Sequence, residues 1–361
     1  MQRSGPTLRA WRGTDALASE AERARELFAR ARVDPLCNDP AWLKAHAAAF
    51  LADPREVFGW TVEADGAPIG FLPLREEPSR GAFALRRALL SADGTFDSDY
   101  LDVAVAPGEE RLVLGLLLDA LAAERRLQAV VLSGVPATSP ILAPLRAELA
   151  ARRLPARERP GDCLAASLPA SLDAYLAELK PRMRSKVRQA LRLAAEAGAS
   201  FAWCEDEAEL ERHLHGLFDL HARRWSEADE TGSFSDARRR AFYSALAPHY
   251  LARGELRFAR LDLEGRAIAY QIGVRRGATY YQLQEGYLTD LDAFRSATAL
   301  RALAIERLIA EGVRSYDFLA GATQHKADWG GAPRPCTTIA FALPRIRARA
   351  AYALRAWSDW A

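Results

Sequence analysis

One pattern occurs twice in this chain of 361 residues, and it restricts the possible fold more than any other feature. Val57 to Glu63 reads as a strand. Asp65-Gly66 tolerates the positive φ of a tight hairpin turn, and Ile69 to Leu74 returns as a second strand. Far downstream, Leu256 to Leu261, the turn Glu264-Gly265 and Ala267 to Arg275 repeat the arrangement. The two turns align locally, Asp-Gly-Ala-Pro-Ile-Gly at 65–70 against Glu-Gly-Arg-Ala-Ile-Ala at 264–269. A helix follows each hairpin: 110–126 with a dense Leu face, and 297–310 with Leu300, Leu303, Ala304 and Leu308 at helical spacing. A strand follows each helix, Ala129 to Leu132 and Ser315 to Leu319, the second behind a C-terminal Gly312. The pattern predicts a duplicated α/β (α+β) chain.

Length agrees, since 361 residues exceed one ordinary core. The expected division is 1–160, 161–343 and a basic amphipathic helix at 344–361. Leu154 to Gly161, with two prolines and a glycine, has the composition of a linker. Beyond it, Ser171 or Asp173 caps a helix reaching Leu179. Further helices run over about 182–197, ending at Gly198, and about 206–225, and the meander closes with Thr279 to Glu285.

The formal net charge of +2 argues against bulk nucleic-acid binding, so no DNA partner is expected. The four cysteines are scattered with no Cys/His cluster, so no metal site and no disulfide framework is predicted. No apolar run reaches a membrane span and the start is polar, which predicts a cytoplasmic protein.

A series of short motifs then stands out. In the second half these are Leu179-Lys180-Pro181-Arg182, Leu220-His221-Ala222-Arg223-Arg224-Trp225, Gly286-Tyr287 and Tyr316-Asp317-Phe318-Leu319-Ala320-Gly321 with Lys326 and Trp329. In the first half they are Pro40-Ala41-Trp42-Leu43, Asp99-Tyr100-Leu101-Asp102 and Ser139-Pro140. This series resembles the CelD/BcsL-like branch of the GNAT acyltransferases, linked to cellulose and exopolysaccharide biosynthesis. More distantly the chain is similar to the Fem-type peptidyltransferases. The resemblance implies two tandem GNAT-like domains, each a mixed, mostly antiparallel sheet flanked by helices, the first degenerate. It also implies an acetyl- or acyl-coenzyme A donor. The Gly-rich loop of a general GNAT enzyme is absent, and Ser296-Ala297-Thr298 stands in its place.

Acyl transfer to an amine requires a held donor, a proton acceptor and a stabilised oxyanion. The start of the 297–310 helix, with Arg295, Ser296, Ala297 and Thr298, is the candidate phosphate cradle, where Ser296 serves as ligand, as N-cap, or as both. Glu285, at the end of an apolar strand, is the candidate base, and its alternative is a solvated strand end. Asp317 lies inside an apolar strand and needs a partner; Lys326 is one of only four lysines, and the pair either closes the sheet or lines the acceptor site. Arg182, Lys186 and Gln189 share one helical face that either grips a phosphate or is simply solvated. His221 sits on an apolar stripe, as a hydrogen-bonded core histidine or a catalyst, and Tyr281 and Tyr287 are packing residues or proton donors; the resemblance places Arg224 and Trp225 at an acceptor cleft.

The leading expectation is an N-acyltransferase acting on a small-molecule or lipid-linked amine, such as an amino sugar of envelope polysaccharide synthesis. The alternatives are a Fem-type transferase using charged tRNA, and a degenerate GNAT serving as an accessory of a polysaccharide synthase. The tail, with Ile346, Ala350, Ala353, Leu354 and Trp357 on one face, either docks on the protein or rests at the inner face of the membrane.

Overall fold

The computed structural model describes residues 5–78, 85–95, 97–227, 232–288 and 294–353, apart from the side chains of residues 78, 224–227 and 233. The chain forms two compact units, Met1–Gly161 with Pro335–Ala361, and Asp162–Arg334. Residues 335–343, expected in the second domain, and the tail helix thus group with the first.

The first unit contains β1 (Thr7–Arg12), α1 (Thr14–Arg23), α2 (Arg25–Ala31), α3 (Pro40–Phe50), β2 (Val57–Ala64), β3 (Ala67–Pro78), β4 (Arg86–Leu90), β5 (Ala104–Val105), α4 (Glu110–Ala123), β6 (Ala129–Pro136) and α5 (Leu142–Ala151). The strand β7 (Ala156–Ser167) leads into the second unit. There follow α6 (Leu172–Glu178), α7 (Pro181–Glu196), β8 (Ser200–Trp203), α8 (Glu207–Glu227), α9 (Ala237–Ala252), β9 (Leu256–Leu263), β10 (Arg266–Arg276), β11 (Thr279–Tyr287), α10 (Ser296–Ala310), β12 (Ser315–Ala320) and α11 (Gln324–Asp328). Then β13 (Ala332–Ala342) and α12 (Ile346–Ala353) return to the first unit.

The duplicated pattern is visible strand by strand. In the first unit the order is β1-β2-β3-β4-β6-β13, with β5 on β3. Its neighbours are antiparallel except β4 and β6, which are parallel. In the second unit the order is β7-β12-β11-β10-β9-β8, and only β11 and β12 are parallel. Each unit is therefore a meander, a crossover helix and a parallel strand. Both hairpin turns have positive φ at two residues, 50° and 78° at Asp65-Gly66 and 52° and 77° at Glu264-Gly265, which matches the right-handed twist of the strands. The chain is a mixed α/β protein with mostly antiparallel sheets flanked by helices.

Helix ends follow the sequence closely. Ser171 Oγ accepts from Ala174 N–H at 3.1 Å, Pro181 opens α7, and Gly312 (φ 86°) closes α10. Three expectations are corrected. Leu154–Gly161 is no linker, because Ala156–Ser167 is one strand. Six of its residues, 157–162, are exposed, and its pairing with β12 begins only at Cys163, so Pro160 removes no bond from that ladder. The N-cap of α10 is Arg295 rather than Ser296, which lies in the first turn and is buried. The buried face of α12 is Ala348 and Ala351, packed on Leu89, Val131 and Ala340, while Ile346 is 89% exposed. Leu354 and Trp357 lie outside the described residues.

The core of the second unit is built by Tyr280, Tyr316, Phe318 and Trp329 with Val187 of α7 and Ile305 and Leu308 of α10. Adjacent strand residues point to opposite faces. Glu285 turns toward α10, and Gly286 lets the backbone of α8 approach, since a Cβ there would lie 3.0 Å from Leu217 O and 3.1 Å from His221 N.

Candidate functional site

Two irregularities of the sheet open a site. First, β11 and β12 pair only from Thr279–Ser315 to Tyr281–Asp317. Beyond Tyr281 the two parallel strands part, β11 staying paired with β10 and β12 with β7. Second, Ile272 pairs with Gln284 but Gly273 with Gln282, leaving Leu283 as a bulge in β11. Without a bulge, residues three apart in a strand face opposite sides. With it, Gln282 and Glu285 share a face, and Gln282 Nε2 donates to Glu285 Oε2 at 3.3 Å. On β12, Asp317 is fully buried. Its Oδ1 accepts from Leu319 N–H at 2.8 Å and its Oδ2 pairs with Arg334. This bond braces Leu319 in the left-handed region (φ 61°), where β12 shifts register against β7.

The centre of the site is Arg301, which the sequence reading passed over. Its side chain is 3% exposed. Nη2 donates to Glu285 Oε2, Nη1 reaches His325 Nε2 at 2.6 Å, and the guanidinium lies 5.0 Å from the Trp329 ring. Burial lowers the pKa of Arg301 and the charge of Glu285 raises it; the net shift is upward, so the group stays ionised. Burial pushes the Tyr316 phenol well up; it remains neutral and donates to Gln282 Oε1 at 3.0 Å. A sequence signal for Arg301 existed. Ser296 to Ile305 is apolar on nearly every side, so an arginine within it has no solvent face; Leu303, counted in the apolar stripe, is less buried.

A cavity of about 610 Å³ lies beside this cluster, lined by Glu285, Tyr287, Leu288 and His325, by Lys186 and Gln189 of α7, and by Arg295 to Thr298. The first-turn amides of α10 have no intrahelical partner, and Arg295 (φ 54°, ψ 44°) provides no side-chain cap. The cavity thus has one face suited to an anion and another bearing a carboxylate and an imidazole. Partial burial of the ring, then the charge of Arg301, holds the His325 pKa below its usual value.

Of the residues singled out in the sequence, Glu285, Lys186, Arg295, Ser296, Ala297 and Thr298 meet in this cavity, together with Tyr287. Asp317 is fully buried and does not line it. The ammonium of Lys326 donates to the carbonyls of Leu319 and Ala320, and the partner that the sequence reading missed for Asp317 is Arg334. Arg182 is exposed near the start of α7 and is not a lining residue. His221 is buried against Phe234, ring centroids 4.9 Å apart, and Tyr281 is buried in the sheet. The side chains of Arg224 and Trp225 lie outside the described residues. Among the described residues no cluster of His, Cys, Asp or Glu could hold a metal ion, and no helix is long and apolar enough to cross a membrane.

Residues 181–327 match the family described as Acetyltransferase (GNAT) domain. No curated protein matches the sequence. Among solved structures the chain is similar to FemX, at 12% identity and a TM-score of 0.64, over 92% of this chain and 98% of that one. It is also similar to the C-terminal domain of a putative lysylphosphatidylglycerol synthetase from Agrobacterium fabrum, at 13% identity and a TM-score of 0.55, over 95% and 98%. L-PGS from Bacillus licheniformis matches at 11% identity and a TM-score of 0.55, over 93% and 94%. At such identities the likeness is one of fold. Within the second unit, residues 181–327 thus match a GNAT acetyltransferase domain, and the fold of the chain is similar to that of FemX and of the two lysylphosphatidylglycerol-synthetase-type structures.

Proposed function

We propose that the second unit catalyses N-acyl transfer from an acyl-coenzyme A to an amine, with Glu285 as the base. The observation that carries this reading is the uncapped start of α10 opening into the same cavity as Glu285. Three amides and a helix dipole suit a phosphate, and Arg295 and Lys186 add positive charge. The absent glycine loop is compensated locally: Arg295 itself adopts the left-handed conformation that glycine favours, and the residues after it are small. Glu285 Oε2 is held by Arg301 and Gln282, and among the described residues no donor engages Oε1, so that oxygen is available for a proton from the amine. From the family resemblance, the acceptor is an amino sugar or another amine of envelope or exopolysaccharide synthesis, reached from the cytoplasmic side.

Calorimetry with acetyl-coenzyme A tests the reading. Micromolar binding is expected, at least tenfold weaker in Arg295→Ala. Glu285→Gln is expected to bind the donor normally and lose turnover. An absence of binding at millimolar donor would remove the proposal; full turnover in Glu285→Gln would remove only the base.

A second reading has its own support. The likeness to FemX and to two lysylphosphatidylglycerol-synthetase-type structures extends over both units. A donor amino acid carried on tRNA would place its phosphates on the same helix start and on Lys186. Binding of charged tRNA that falls steeply with salt, without binding of coenzyme A, would favour this reading over the first.

A further inference from the structure

We infer that His325 is the oxyanion donor of the site, and that the buried Arg301 fixes it in that role while positioning Glu285. The inference rests on the acyl-transfer reading and adds a group to it.

The argument begins from hydrogen-bond stoichiometry. A guanidinium has only donors. Its Nη1 stands 2.6 Å from His325 Nε2, so Nε2 must accept and cannot carry a proton. The imidazole is then neutral, and its one proton is on Nδ1. The ring lies at the exposed mouth of the cavity that Glu285 also lines. The two nitrogens at the end of one guanidinium therefore hold two groups of opposite character. Nη2 holds a carboxylate that accepts, and Nη1 holds an imidazole that donates.

An amine attacking a thioester needs that pair. As the N–C bond forms, the carbonyl oxygen becomes an oxyanion and the nitrogen becomes cationic and must lose one of its protons, on atoms joined through one carbon. The Nδ1–H of His325 stabilises the oxygen, and Glu285 takes the nitrogen's proton. The C–S bond then breaks, the carbonyl re-forms, and the thiolate receives a proton from solvent or from Glu285. Arg301 touches neither reacting atom. It is a positioning residue, clamped by Trp329 and Tyr316 in a fully buried setting. His325 cannot be the general base, because the nitrogen free to face substrate already bears its proton.

The test uses the full chain in two arms. Long-range nitrogen–proton NMR of the histidine rings at pH 7, assigned with His325→Ala, is expected to show His325 as the neutral Nδ1–H tautomer. An Nε2–H tautomer or an imidazolium overturns the inference without any reference to activity. In the second arm, acetyl-coenzyme A is turned over on an amino-sugar acceptor. His325→Ala is expected to lower kcat about 10²-fold with little change in KM. His325→Asn, whose amide N–H occupies the Nδ1 position, is expected to restore at least a tenth of the lost rate, whereas His325→Gln, which mimics Nε2, restores none. His325 is exposed, so these variants fold. Full kcat in His325→Ala with donor binding intact sinks the inference and spares the acyl-transfer reading. No donor binding in the unaltered protein sinks the reading itself.

Discussion

At the scale of single residues, Arg295 and Arg301 define the site by opposite means. Arg295 occupies the left-handed region, which costs an ordinary side chain roughly 1 kcal/mol relative to glycine. A position that keeps such a residue trades stability for the charge beside the helix start. Arg295→Gly is therefore expected to raise stability by about 1 kcal/mol in urea unfolding while weakening donor binding. A lower stability would show that the guanidinium, and not the backbone, dominates there. Arg301 is the reverse case. Its charge is buried and depends on its partners, so Glu285→Leu leaves it uncompensated, with an expected loss of about 3 kcal/mol. Glu285→Leu combined with Arg301→Met removes both charges and is expected to recover most of that loss. A double variant no better than the single would place the damage in packing rather than in the unpaired guanidinium. Glu285 and Arg295 were legible in the sequence, because a strand-end acid and the start of an apolar helix are local signals. Arg301 was legible only as an arginine inside an apolar helix, and His325 and Arg334 were not legible at all. Their roles depend on partners 16 or more residues away: Glu285 for Arg301, Arg301 for His325, and Asp317 for Arg334.

At the scale of elements, the hairpins and helices were readable because they carry 2.0 and 3.6 periodicities and a few obligate turn residues. The strand β7 was hidden, since its exposed first half is polar and contains Pro160 and Gly161. The bulge at Leu283 was hidden as well. Nothing in Gln-Leu-Gln-Glu announces an extra residue, and it is the register of β10 against β11 that creates it. Gly273 is the residue across from this irregularity. A Cβ there would overlap the Tyr280 ring and the carbonyl oxygen of Tyr281, and backbone cannot yield as a side-chain end does. Gly273→Ala is expected to cost about 2–3 kcal/mol, as overpacking in a well-filled core does. It should also shift the amide resonances of Gln282 to Glu285 and lower turnover. A stable variant with unshifted resonances would mean that β11 does not depend on this contact to keep Glu285 in place.

At the scale of the whole molecule, pH acts through the first unit, which bears no role in the proposed chemistry but has two buried titratable groups with opposed shifts. Burial pushes the Asp102 carboxyl up to about 7, against hydrogen bonds from Ser139 and Val103. Burial, then the charge of Arg75, pushes His46 down to about 3. The signs follow from proton counting. Between about pH 4 and 7 the folded chain keeps a proton on Asp102 that the unfolded chain has released, so this group's contribution is lost as pH rises through that window. Between about pH 6.5 and 3 the unfolded chain protonates the histidine and the folded chain does not, so that contribution is lost as pH falls. Each shift corresponds to something on the order of 4 kcal/mol, and over about pH 4 to 6.5 the two slopes cancel. These two groups together should therefore leave stability flat in that range, and removing one should expose the other. Asp102→Asn is expected to give a stability that rises with pH from about 4 to 6.5 and exceeds the parent's at pH 8. His46→Gln is expected to give one that falls from about pH 4 to 7. Urea unfolding of the parent and both variants across this range, compared as differences so that the other carboxylates drop out, measures the effect. Parallel pH profiles for all three proteins would show that neither group is held in its unusual state. Opposite slopes in the two variants would show that the first unit holds both groups in their unusual states.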